Sequence, residues 1–112
     1  MKKTNAIPNQ VNRALQKLGN DLKEARIKRR LTMELVAERA GITRVTLSKV
    51  EKGNPAVLIG IYAKTLFVLG LIENLYNLAD ANNDEIGRIL ESENLPIRVR
   101  YKRRSQKKKN GR

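Results

Sequence analysis

The chain has 112 residues, with 24 Lys and Arg against 11 Asp and Glu, a net charge of +13, and neither histidine nor cysteine. That length suits one compact domain with tails rather than two cores, and the absent residue types exclude disulfides, the usual zinc-ligand sets and thiol or imidazole catalysis. The charge is also polarised: residues 97–112 hold nine Lys or Arg and no acid, while residues 73–93 hold six acids against Arg88, a pattern that favours a polyanion partner.

In chain order, residues 1–12 contain Lys2 and Lys3 but no apolar run suited to a signal peptide, and are expected to be a flexible N-terminus. One domain is expected over residues 13–96, followed by a basic tail at 97–112. Leu15, Leu18, Leu22 and Ala25 follow the helical period, which predicts an amphipathic helix from Val11 to Arg30 with a basic outer face. Gly19 interrupts its first half with a weak helix former. Thr32 is the N-cap of a second, short helix that turns Leu35, Val36 and Ala40 inward. Gly41 ends it in a left-handed turn, and Thr43 caps a third helix running to Lys52, with Leu47 and Val50 inward and Ile42 packing from the turn. Gly53-Asn54-Pro55 closes that helix.

The stretch Leu58 to Leu69 is apolar on more than one face. It either closes the monomer core or forms a two-fold interface, and we expect the interface, built from Ile61, Tyr62, Leu66, Phe67 and Leu69. The same region, Val57 to Ile72, is broken by Lys64 and is shorter than the ~20 residues needed to span a bilayer, so no membrane role is expected. A short helix over Leu71 to Ala79 follows, then a turn and cap at Asn82-Asn83-Asp84. A last helix covers Glu85 to Glu93, with Ile86, Ile89 and Leu90 inward, and Leu95-Pro96 stops it. Beyond it, Ile97-Arg98-Val99-Arg100-Tyr101-Lys102 alternates with the period of a strand. It reads either as a basic tail with accidental alternation or as a strand that pairs with a second copy. The whole is expected to be all-α, a bundle of five to six helices.

Two short capped helices joined by a glycine turn are the arrangement that sets the second helix into a major groove. The block Val36-Ala37-Glu38-Arg39-Ala40-Gly41, with Thr46-Leu47-Ser48-Lys49-Val50-Glu51-Lys52-Gly53, closely resembles the helix-turn-helix of the Xre/Cro family of phage and bacterial repressors. The resemblance covers about Leu18 to Leu69. It implies that Arg44, Val45, Ser48 and Lys49 meet base edges. Their chemistry agrees, since arginine or lysine can bridge guanine O6 and N7, serine serves either base edge and valine meets a thymine methyl. The competing reading for Arg44 and Lys49 is a solvated basic face, and for Val45 ordinary packing. Thr43, Thr46 and Asn54 match positions that touch phosphate, and the basic residues Arg29 and Arg30 are expected to join them. Arg26 and Glu51 match an ion pair that ties the first and third helices together. Met33 stands where the family usually has a glutamine bonded to phosphate, so that side-chain contact is lost.

The chain as a whole is similar to HipB-type antitoxins, the DNA-binding partners of HipA-like kinases. The resemblance implies a cytoplasmic, nucleoid-associated homodimer that represses its own operon from a palindromic site and restrains a kinase toxin. The tail, including Arg98, Arg100, Lys102, Arg103 and Arg104, reads as a nonspecific DNA arm or as an inert solvated end. An RNA-binding module fits less well, because Tyr62, Phe67, Tyr76 and Tyr101 are too few for a stacking platform. No phosphate-cradling glycine motif and no nucleophile beside a base are visible, so neither an enzyme nor a metal, cofactor or small-molecule substrate is expected. A stand-alone repressor without a toxin, and an interaction module that has lost specific DNA binding, are the alternatives.

Overall fold

The computed structural model describes residues 6–94. They form α1 (Asn9–Lys28), α2 (Met33–Ala40), α3 (Arg44–Glu51), α4 (Ile59–Val68), α5 (Glu73–Tyr76), a 3₁₀ turn (Ala81–Asn83) and α6 (Glu85–Asn94). The fold is all-α, with no strand among the described residues. The alternating segment 97–102 lies outside them, as does the rest of the basic tail. The chain divides into two compact units between Leu75 and Tyr76.

The first unit contains α1 to α4. Its N-terminal helix starts at Asn9, earlier than the hydrophobic period suggests, so residues 9–12 belong to α1 and not to a flexible end. Pro8 explains the start: its backbone is already near φ −56°, and its carbonyl accepts the Val11 and Asn12 N–H groups at 3.0 and 3.1 Å. Thr32 and Thr43 cap α2 and α3, each accepting the backbone N–H of the residue three ahead, at 3.1 and 3.0 Å. The helices α2, α3 and α4 end alike, with a left-handed glycine (Gly41, Gly53, Gly70) and the following N–H bonded back to a carbonyl of the last turn. Helix α1 ends in the same way at Arg30, which adopts φ 57° without being glycine. A left-handed non-glycine residue costs ~1–2 kcal/mol, so the neighbouring contacts must impose this conformation.

Leu22 from α1, Val36 and Ala37 from α2, Leu47 and Val50 from α3, and Tyr62, Leu66 and Leu69 from the α4 region make one core. Full burial of a side chain such as Leu22 or Leu47 is worth ~1.5–3 kcal/mol, more than any cap, so this cluster decides how the short helices pack. The Tyr62 phenol lies inside the cluster and donates to the Asn54 carbonyl at 2.8 Å. Burial raises its pKa above the ordinary 10.0, which favours the donating form.

Two glycines set how closely α1 approaches α3. A Cβ on Gly19 would lie 2.5 Å from the Val50 carbonyl oxygen and 2.6 Å from the Gly53 nitrogen, and one on Gly53 would overlap the Leu15 backbone. Gly19 is therefore a packing requirement and not merely a weak point in a helix.

The second unit is small: within it the 3₁₀ turn packs on α6. The helix expected over Leu71 to Ala79 is one turn, Glu73–Tyr76. Asp84 caps α6 by accepting the Gly87 N–H at 2.9 Å. Ile86, Ile89 and Leu90, expected inward, are exposed. The described part of this unit, the 3₁₀ turn and α6, has too little apolar surface of its own to cover such a stripe.

Gly19→Ala is expected to lower the stability of the first unit by ~1–3 kcal/mol, because backbone and not a flexible side chain must yield. Gly41→Ala meets no atom within 4 Å and should cost only the left-handed penalty, ~1–2 kcal/mol. Urea denaturation followed by circular dichroism measures both; a Gly19→Ala protein as stable as the parent would contradict the packing role.

Candidate nucleic-acid interface

Helix α3 divides sharply. Leu47 and Val50 have 0% exposure, whereas Val45, between them and the N-cap, is 68% exposed. Arg44 and Lys49 are exposed beside it, and Ser48 is half-buried. An outward valine on an eight-residue helix with a completely buried opposite face is not core packing, which removes the competing reading of Val45. The four side chains form a surface offering guanidinium, ammonium, hydroxyl and methyl groups, the set that direct readout of a major groove uses.

The helix is held from behind. Arg26 Nε donates to Glu51 Oε2 at 2.7 Å and Nη2 to Oε1 at 3.2 Å, while Nη1 donates to the Leu31 carbonyl at 3.0 Å. The two side chains are only 11% and 6% exposed, so this forked pair lies largely out of water. It joins α1, the α1–α2 connection and the last turn of α3.

A helix-turn-helix family model matches residues 22–79, a little over half of the chain, and spans both capped helices and the core beneath them. The chain belongs to the helix-turn-helix family. It is thus a DNA-binding protein of the transcription-regulating kind, with α2 and α3 as its motif. No curated protein and no solved structure matches the chain.

Around this helix-turn-helix, the residues expected at phosphates are variously engaged. Thr43 donates its hydroxyl to Thr46 Oγ1 at 2.9 Å while capping α3, which leaves the Thr46 hydroxyl hydrogen to point elsewhere. Asn54 uses Oδ1 to accept the Ala56 N–H at 2.7 Å, its N–H to reach the Lys49 carbonyl and its own carbonyl to accept Tyr62, so the side-chain amide nitrogen is what it can offer a phosphate. Arg29 folds back on α1, donating Nη1 to the Ala25 carbonyl at 2.9 Å, and Arg30 is exposed in its left-handed turn. Met33 is half-buried, packs on the core and helps line a cavity of about 150 Å³ with Ser48 and Glu51. It contributes apolar packing in place of a phosphate bond.

The expected two-fold interface needs correction. Tyr62, Leu66 and Leu69 are buried inside the monomer and cannot also face a partner, because the core needs the inner side of α4. Ile61 is half-buried, and Phe67 is 70% exposed with Leu58 and Ile59. Arg98, Arg100, Lys102, Arg103 and Arg104 lie outside the described residues. Sequence reading missed an ion pair between Glu34 and Arg44, for which no local spacing gives a signal, and the special role of Gly19, for which a glycine inside a periodic helix was a signal. Among the described residues no group of three or more Asp and Glu side chains is placed to hold a metal ion, and no helix is long and apolar enough to cross a membrane.

Glu51→Ala would strand the Arg26 guanidinium in a nearly dry site, a loss of ~3–5 kcal/mol. The expected result is a domain largely unfolded at room temperature by thermal denaturation; an unchanged melting temperature would overturn the structural role of the pair.

Proposed function

We propose that the chain is a sequence-specific repressor that binds duplex DNA as a homodimer and reads a palindromic operator with Arg44, Val45, Ser48 and Lys49. The observation that carries this reading is the 68% exposure of Val45 on a helix whose other face is fully buried. An apolar side chain held out to solvent between two cations suits a groove lined with thymine methyls and guanine acceptors. Thr43, Thr46, Asn54, Arg29 and Arg30 would fix register on phosphates. The basic tail would add a sequence-independent electrostatic contribution.

The dimer would form across the outer side of α4 through Phe67, with Leu58, Ile59 and Ile61. Supporting this, Phe67, Ile59 and Leu58 are large apolar side chains left exposed at α4 and its start. Half-sites would then lie about 34 Å apart or at a multiple of that spacing. By its similarity to HipB-type antitoxins, the repressor would act in the cytoplasm on its own operon and restrain a HipA-like kinase. The acidic, partly apolar segment 73–93, which lies beyond the two helices of the motif, would contact such a partner.

Binding to duplex DNA from upstream of its own gene, followed by fluorescence anisotropy, tests the proposal. Arg44→Ala and Lys49→Ala should each weaken specific binding by ~1–3 kcal/mol and leave random-sequence binding much less affected. Removing residues 101–112 should flatten the dependence of log affinity on log salt. Equal affinity of the parent for upstream and random duplexes would refute sequence-specific repression. In light scattering at micromolar concentration, the parent should be a dimer and Phe67→Glu a monomer; a monomeric parent would refute the α4 interface.

A further inference from the structure

The starts of α2 and α3 are joined by an ion pair: Glu34 Oε2, in the first turn of α2, is 3.0 Å from Nε of Arg44, the first residue of α3. Both side chains are mostly exposed, so the pair adds little to stability. An acid beside a reading arginine also repels phosphate, which weakens binding to any duplex whatever its sequence. Its effect must therefore be sought in how Arg44 is used. Arg44 is an unfavourable residue for its own helix, since a cation in the first turn opposes the helix dipole, and α3 has no acid in that turn to offset it. Glu34 supplies the countercharge from the neighbouring helix. The other first-turn candidates on α2 are committed elsewhere: the Thr32 hydroxyl caps the helix, and Met33 packs on the core.

The contact is made through Nε, on the side of the guanidinium. A carboxylate beside Nε approaches the guanidinium from its side, whereas a two-point contact with O6 and N7 of guanine uses the parallel donors of the Nη1–Nη2 end. A long arginine side chain otherwise loses rotamer freedom when it docks, and a brace present in the free protein reduces that loss. We infer that Glu34 is a positioning residue that orients Arg44 toward one guanine in each half-site and thereby sets the base preference there. This rests on the proposal that α3 reads DNA.

The test is enrichment of the full-length parent, E34Q, R44A and the double variant E34Q/R44A on a library of randomised duplexes, with sequencing of the bound fraction. The parent should enrich a guanine at one position of each half-site, and R44A should lose that preference. In E34Q the preference for guanine at that same position should fall by about fivefold or more, while other positions hold and binding to random duplex strengthens slightly. The double variant should show the same base preference as R44A alone, because Glu34 acts on that preference only through Arg44. An E34Q profile with the parent's base preference, even at higher overall affinity, would overturn the inference, since it would make Glu34 a simple charge mask. Enrichment of no sequence by the parent would instead overturn DNA reading itself, and the inference with it. Unchanged circular dichroism spectra verify that the variants are folded.

Discussion

The guanidinium of Arg26 holds three pieces of chain at once: its own helix, the Leu31 carbonyl in the α1–α2 connection, and the Glu51 carboxylate at the end of α3. An eight-residue helix such as α3 is too short to persist in water by itself, so its existence depends on what it is tied to and what it buries. Leu47 and Val50 give it a buried side, and Glu51, next in sequence, extends that attachment by a charged contact that is nearly dry. Such a pair gives little net stability over an apolar contact of the same volume, but it tolerates few alternative registers of α3 against α1. The approach needs bare backbone on both sides, which Gly19 and Gly53 supply.

With α3 fixed from behind, its outer face can carry residues that are locally unfavourable. Arg44 opposes the helix dipole, and Val45 exposes an apolar side chain. Departures from local rules that gather on one surface, over a core that obeys them, are the pattern of a binding face. Helix α4 shows the same division on a different scale: Tyr62, Thr65 and Leu66 complete the core, while Ile59 and Phe67 remain outside it.

Much of this was legible in the chain. The limits of α2 and α3 follow from Thr32, Gly41, Thr43 and Gly53, because a cap acts within three or four residues and needs no distant partner. The outward placement of Arg44, Val45 and Lys49 follows from the helical period once Leu47 and Val50 are turned inward. Helix α4 was less legible, because a segment apolar on several faces does not declare which face its own monomer will take. The stripe Ile86, Ile89 and Leu90 misled for a related reason: periodicity says that a helix has an apolar side, not that enough apolar surface lies nearby to cover it.

The sequence by itself thus determined the order of the helices, the ends of α2 and α3, the all-α class and the helix-turn-helix motif, since these rest on interactions between near neighbours. Only the tertiary structure decided that Gly19 is a contact and not a flaw, that Tyr62, Leu66 and Leu69 belong to the core, and that Glu34 meets Arg44 across two helices. Those outcomes depend on which surfaces meet and how closely, and residues far apart in sequence carry no local signal of the distance between them in the fold.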